Sequence, residues 1–220
     1  MRIFIGHDTR YKIATLVCQK SIREFNPDIK ISWLDKHKLR DKGVYGRKDL
    51  PGESTEFSFT RFYIPLLMHY SGIAMFCDND FLWKCDPVEV VEYMRPDDAI
   101  AIVQHKDYSV KETKMDGVKN KQYPRKNWSS LIVFNCDKLK HMTKEYVDKA
   151  TASHLHELRW VDDNALGNIP DNYNVLVGTH DTLGARALHY TNGGPWFKEY
   201  TNSEKSLDWW TVYELSLIHI

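Results

Sequence analysis

A chain of 220 residues with 42% hydrophobic and 27% charged side chains can bury one sizeable core, and one domain is the first expectation. Thirty Lys and Arg balance thirty Asp and Glu, so composition argues against a nucleic-acid partner or a strongly anionic one. No apolar run approaches bilayer-spanning length and the opening MRIFIGHD is no secretory leader, so a cytoplasmic protein without an integral membrane segment is expected.

Residues 2–6, RIFIG, read as a first strand of the buried, parallel kind, with Gly6 permitting a tight turn. His7-Asp8-Thr9 follows as a strand-to-helix loop in which Asp8 or Thr9 caps the next helix. Ala14, Cys18, Ile22 and Phe25 share one helical stripe over 11–25, and Ile29, Ile31 and Trp33 alternate as a second strand over 29–34. Strand, helix, strand without a hairpin signal implies a right-handed crossover and a parallel sheet. Residues 36–56, with Gly43, Gly46, Pro51 and Gly52, read as a long loop. A helix is expected over 57–70, FSFTRFYIPLLMHY, with Pro65 as a kink or restart. Arg61 within it is either a solvated side chain or a guanidinium placed for a phosphate.

Residues 73–77, IAMFC, read as a short buried strand, and Asp78-Asn79-Asp80 stands where it ends. Alternate side chains of an extended backbone point the same way, so Asp78 and Asp80 can converge. Two like charges that close repel unless a cation lies between them, which points to a divalent metal site at the carboxyl end of a central strand. Asp-X-Asp alone is a weak signal. Haloacid-type phosphatases use it at the end of their first strand, and a carboxylate pair can simply cap a turn.

Further along, Asp86-Pro87 opens a short helix, 99–104 reads as a buried strand, and 105–127 is a Lys-rich loop, either a solvated face or a lid over an anionic ligand. A strand over 131–134, helices near 138–150 and 162–166, and a last strand over 187–190 complete the chain before TNGGPW. The four cysteines lack CxxC spacing and read as reduced, buried thiols. Trp196, Trp209 and Trp210 either pack or build an acceptor platform. The final LSLIHI resembles a translated sequencing adapter, so 215–220 are set aside as a non-native tail and 1–214 taken as one domain.

Six segments in order, IFIGHD, SFTRFYIPLL, FCDND, NWSSLIVFN, WVDDNALGNIP and HYTNGGPW, together resemble the GT-A glycosyltransferases over about residues 1–200. Within them the chain is most similar to family 8, the glycogenin-like and lipopolysaccharide-galactosyltransferase-like group, and to bacterial and phage glycosyltransferase-like proteins carrying YPRKNWSS and HYT-x-GGPW. The resemblance implies an α/β, single-domain GT-A (nucleotide-diphospho-sugar transferase) fold with a mostly parallel central sheet flanked by helices. It makes Asp78, Asp80 and His189 ligands of Mn²⁺ or Mg²⁺, the imidazole tilting the choice toward Mn²⁺. A histidine at a strand end is ordinarily structural; the family context is what makes His189 a ligand.

The same resemblance sets Gly6, His7 and Asp8 at the nucleotide, Arg61 against the donor, and Asn79, Ser129, Asn135, Gly193 and Trp196 among the donor contacts. Asp162-Asp163-Asn164 matches the family's Asp-Gln-Asp beside the transferred sugar, which makes Asp162 and Asp163 the expected catalytic carboxylates. Asp163 stands for the Gln and Asn164 for the second Asp, while Gly194 replaces a phosphate-contacting Lys in a segment one residue shorter. Phosphate neutralisation would then fall to Arg61, Lys198 or the lysines of 106–126. The implied activity is transfer of a hexose from a nucleotide-diphosphate sugar, a UDP-sugar first, to a glycan or other hydroxyl acceptor, with retention. Two alternatives stay open: a non-catalytic nucleotide-sugar or glycan-binding module, and a sugar-nucleotide nucleotidyltransferase, although IFIGHDTRYK lacks the Gly-rich basic loop of the latter. Oligomeric state leaves no trace in the sequence.

Overall fold

The first strand, β1 (Arg2–His7), is buried from Ile3 onward and pairs in parallel with β2 (Lys30–Asp35) on one side and β3 (Ile73–Cys77) on the other. Between β1 and β2 the chain makes the expected crossover through α1 (Lys12–Phe25), entered by a 3₁₀ turn that Asp8 caps through the Arg10 amide. The computed structural model describes residues 1–49, 53–106 and 124–217. Ala14, Cys18 and Ile22 of α1 are buried as their spacing predicts, whereas Phe25 is 45% exposed because the helix ends there.

The polar stretch after β2 is not all loop. Asp35 accepts the Lys38 amide and so caps α2 (Lys36–Asp41). The expected long helix over 57–70 reduces to a 3₁₀ turn, Thr60–Tyr63, and one turn of helix, α3 (Ile64–Leu67). Pro65 offers no amide hydrogen to the preceding turn, and His69 and Tyr70 leave in the left-handed region at φ 53° and 54°. Phe57, Phe59, Phe62 and Tyr63 all enter one core cluster, so burial rather than helical periodicity explains this apolar run.

Beyond β3 come β4 (Phe81–Trp83), β5 (Ile100–Ile102), β6 (Leu131–Asn135), α4 (Lys144–Lys149), α5 (Ala152–His156), β7 (Leu166–Asn168), β8 (Val175–Leu176), β9 (Ala187–His189) and α6 (Ser206–Leu217). The helix expected over 138–150 is confined to α4, which Thr143 caps; that expected near 162–166 is a 3₁₀ turn followed by β7. The piece after Asp86 is likewise 3₁₀, over Pro87–Tyr93.

Six strands form the main sheet in the order β2-β1-β3-β6-β5-β7. Only β6 runs against the rest, antiparallel to β3 and to β5, so the sheet is mostly parallel. Alternation in β1 and β3 divides the core: Phe4, Ala74 and Phe76 pack on one face, Ile3, Ile5, Met75 and Cys77 on the other. A small second sheet, β4-β9-β8, stands beside it, with α6 packed on α1. The four cysteines are buried, free thiols. Of the Lys-rich segment, 107–123 lie outside the described residues, and with them the lid expectation; so do 50–52 and 218–220. Among the described residues no helix is long and apolar enough to cross a membrane.

Candidate functional site

β3 ends where the Asp78 amide donates to the Ser130 carbonyl at 2.9 Å. The chain turns through Asn79 and Asp80 and leaves the main sheet as β4, whose partner is β9 in antiparallel register, Phe81 opposite His189. The Tyr190 amide closes the bridge on the Asp80 carbonyl at 3.0 Å. This register is what carries a histidine far away in sequence to the carboxylates. One ligand atom each from Asp78, Asp80 and His189 lies within 4.8 Å of the others, and His189 Nε2 is 3.3 Å from Asp80 Oδ1.

The imidazole is buried and held on two sides. Its Nδ1 is 2.8 Å from Asn174 Oδ1, and its ring stacks on Phe81 at 4.5 Å and 22°. With Nδ1–H donated to Asn174, Nε2 presents a lone pair toward the carboxylates. Two carboxylates and one imidazole nitrogen at this spacing fit a Mn²⁺- or Mg²⁺-sized cation.

Arg61 is 5% exposed, which overturns the solvated reading. Its Nη1 lies 2.8 Å from Asp78 Oδ1 and donates to the Ser129 carbonyl at 2.6 Å, with the guanidinium 4.4 Å over the Phe76 ring. The charge that one sequence reading directs at a phosphate therefore sits against the Asp78 carboxylate. At the end of β1, a Cβ on Gly6 would fall 2.3 Å from the Phe57 ring, so glycine is what lets Phe57 close on the strand. His7 stacks on Trp33 at 4.9 Å, and burial pushes its imidazole down from the ordinary range. Thr15 Oγ1 of α1 sits 3.2 Å from His7 Nδ1 and accepts from Asn79 Nδ2 at 3.4 Å, which ties the carboxylate turn to the end of β1. Asp8 is fully buried; burial opposes its ionisation, but hydrogen bonds from the Arg10 side chain and from the Glu56 and Arg10 amides prevail and hold it below the usual carboxylate range.

No family model matches the sequence. Protein CDI of Arabidopsis thaliana is 42% identical over 213 residues, which cover 92% of this chain and 82% of that protein. The chain belongs to the Protein CDI family. Similar solved structures include the glycosyltransferase GlyE of Streptococcus pneumoniae TIGR4 (TM-score 0.63, 14% identity, 99% of this chain and 63% of GlyE). They also include the galactosyltransferase LgtC in complex with donor and acceptor sugar analogues (TM-score 0.61, 11% identity, 97% and 95%). A third is the bifunctional glycosyltransferase WbbM (TM-score 0.62, 16% identity), where the match covers 96% of this chain but about half, 51%, of WbbM. At these identities the likeness is one of fold: this CDI-family chain has the α/β fold of GT-A glycosyltransferases.

The remaining sequence-predicted residues divide. Ser129 joins the site through Arg61 and places its Oγ 3.2 Å from His156 Nδ1. Gly193 adopts φ 134°, a conformation that favours glycine, in a turn closed by its amide on the Tyr190 carbonyl at 2.9 Å. Trp196 is half-buried, 5.3 Å from Trp209 and 5.6 Å from Phe197. Asn135 is a correction: β6 is antiparallel to β3, so Asn135 lies opposite Ile73, at the end of β3 away from Asp78. Asp162 and Asp163 are exposed, and Asp163 is bound by Arg125 at 2.6 Å, itself over the Trp128 ring. Lys198 is exposed and Lys126 buried, while Lys111, Lys114, Lys119 and Lys121 lie outside the described residues.

Sequence reasoning missed Asn174, His105 and His180. Burial, with His180 and His189 nearby, pushes the His105 imidazole down to about 3. The available signal was an amide side chain set immediately before the apolar Val175-Leu176, where a buried polar group demands partners.

Proposed function

We propose that this CDI-family chain is a metal-dependent glycosyltransferase of the family 8 kind, moving a hexose from a nucleotide-diphosphate sugar to a glycan or other hydroxyl acceptor with retention. A UDP-sugar is the first donor to test. The observation that carries this reading is the convergence of Asp78, Asp80 and His189 within 4.8 Å where the central strand ends, on a GT-A fold. Mn²⁺, or Mg²⁺, would supply Lewis acidity that neutralises charge on the departing nucleoside diphosphate. LgtC, of like fold, was solved with donor and acceptor sugar analogues, which supports the same ligand classes here.

The chain's own residues then have distinct tasks. Asp78, Asp80 and the Nε2 of His189 hold the cation. Gly6, His7, Asp8 and Asn79 form the nucleotide end, in which Thr15 links Gly6, His7 and Asn79. Arg61 adds a positive charge behind Asp78, while Ser129, Gly193 and Trp196 border the rest of the donor. Asp162 and Asp163 keep the role of carboxylates that stabilise positive charge at the anomeric carbon, and Arg125 orients the second. Asn135 has no role in this reading. Residues 1–214 act as one transferase unit, at work in the cytoplasm on sugar nucleotides rather than nucleic acid.

The test incubates purified protein with Mn²⁺ and UDP-, GDP-, ADP- and CDP-sugars and measures nucleoside diphosphate release with and without acceptors. Mn²⁺-dependent release that an acceptor increases supports the proposal. In a second arm supplied with a nucleoside triphosphate and a sugar 1-phosphate, pyrophosphate formation would replace it with a nucleotidyltransferase; Mn²⁺-dependent sugar-nucleotide binding without release in either arm would replace it with a binding module.

A further inference from the structure

A chain of hydrogen bonds of fixed direction runs from a backbone carbonyl to the metal-facing imidazole. Asn127 sits at φ 64°, and its carbonyl, which can only accept, takes the Ser130 hydroxyl hydrogen at 2.6 Å. Having given its hydrogen away, Ser130 Oγ offers lone pairs, and Asn174 Nδ2 donates to it at 3.0 Å. That fixes the amide the other way round at its second atom: Asn174 Oδ1 faces His189 Nδ1 at 2.8 Å and must accept from it. The hydrogen of a neutral His189 is thereby placed on Nδ1, and the Nε2 lone pair is left on the side of Asp80, 3.3 Å away.

We propose that Asn174 is a positioning residue that sets the tautomer and ring orientation of His189 for metal binding. The inference rests on the metal-site reading above. Asn174 is fully buried, so its amide has no water to substitute for these partners. It follows the 3₁₀ turn Asp171–Tyr173 and precedes β8, whose Leu176 is the register partner of His189. Ser130, meanwhile, accepts the Asp78 amide on its own carbonyl at 2.9 Å. Asn174 and Ser130 therefore link β9, which carries the imidazole, to the end of β3, which carries the carboxylates. Outer partners of this kind orient a ligating ring and raise its basicity.

The test has two arms that do not need turnover. Nitrogen-15 NMR of histidine-labelled, metal-free protein at a pH alkaline enough for the ring to be neutral, with His189 assigned by the signal lost in His189→Ala, should show its single ring hydrogen on Nδ1. Calorimetric Mn²⁺ titration without donor should show Asn174→Leu weakened by about 10- to 100-fold. Asn174→Asp keeps the acceptor and should stay within about threefold of wild type, as a conservative rescue. A folded Asn174→Leu that binds Mn²⁺ like wild type, or a neutral His189 that carries its single ring hydrogen on Nε2 in the wild-type chain, overturns the proposal. Should Asn174→Leu not fold, the wild-type spectrum decides. Wild-type protein that shows the Nδ1–H tautomer but binds no Mn²⁺ would overturn the metal-site reading and this proposal's metal role, while Mn²⁺ binding with the wrong tautomer overturns this proposal alone.

Discussion

Phe81 and His189 are directly opposed across the β4–β9 bridge, and their rings stack 4.5 Å apart at 22°. The contact joins the strand that leaves the carboxylate turn to the strand that brings the imidazole back, so the ring pair orients the imidazole as well as packing. Phe81→Ala removes a fully buried ring and should cost about 3–5 kcal/mol in urea unfolding. Phe81→Leu should cost less and hold Mn²⁺ affinity closer to wild type, because a branched side chain still supports the imidazole face. Titrations showing wild-type Mn²⁺ affinity in folded Phe81→Ala would mean the stack is packing alone.

Removing a metal carboxylate should separate stability from metal response. In EDTA, Asp78 and Asp80 are two like charges held close, so Asp80→Asn should melt no lower than wild type at pH 8. Added Mn²⁺ should raise the melting point of wild type and leave Asp80→Asn and His189→Ala almost unmoved. Chelation should likewise stop nucleoside diphosphate release by wild type. An equal Mn²⁺ shift in all three proteins would place the cation elsewhere.

Arg61 offers the opposite pattern. Its guanidinium is 2.8 Å from Asp78 Oδ1 and sits on the Phe76 face, so Arg61→Met keeps the apolar contact but leaves a mostly buried carboxylate without its cation. Breaking a buried pair from one side costs about 3–5 kcal/mol, and the 18% exposure of the Asp78 side chain puts the expectation at the low end. Mn²⁺ can restore the missing charge, so its stabilising shift should be larger in Arg61→Met than in wild type. A smaller shift would show that Arg61 supports the cation rather than competing with it.

The parts of this site legible in the sequence are those where a continuous apolar run meets charge. IAMFC followed by Asp-Asn-Asp reads as a buried strand with carboxylates at its tip, and β3 is that strand. Parallel pairing of β1 with β2 and β3 follows from the crossover helix in the same way. What could not be read is pairing between short, distant strands. FLW and ALH are three residues each, too short to carry alternation, yet their register delivers His189 to Asp80; only family resemblance pointed to that histidine. The aromatic run at 57–67 misled for a related reason: side chains buried from irregular turns leave an apolar run like that of a helix. The antiparallel direction of β6, which removes Asn135 from the site, leaves no local mark in LIVFN.

Asp8 should make the end of β1 acid-sensitive. Its carboxylate is held below its ordinary range by Arg10 and by two backbone amides, so the stabilisation is present above the unfolded-state value and is lost as pH falls through the lower folded-state value. Asp8→Asn should lose about 1.5–3 kcal/mol at pH 7, as for hydrogen bonds to a charged group. In a chain of this size that is roughly 3–10 °C in melting temperature. Once the pH lies below that folded-state value the two proteins should converge. Parallel melting curves across the whole acid range would mean that Asp8 is not ionised in the fold.

The turn after His189 makes the sharpest steric prediction. A Cβ on Gly194 would lie 1.8 Å from Cζ3 of Trp196 and 2.2 Å from Cη2, so Gly194→Ala must push the indole off Trp209, its neighbour at 5.3 Å. These two atoms and Cε3, at 2.5 Å, all belong to the six-membered ring of the indole, which a leucine side chain does not reach. Trp196→Leu alone should be destabilising by loss of a large packed ring, about 3 kcal/mol. On a background of Gly194→Ala, however, the same change also relieves the clash, so the double variant should be more stable than the sum of the two losses by about 0.5–3 kcal/mol. Gly193→Ala is the control: its cost arises from φ 134° on the backbone and should add to that of Trp196→Leu without coupling. Additive losses for Gly194→Ala and Trp196→Leu in urea unfolding would show that the glycine serves the turn and not the ring.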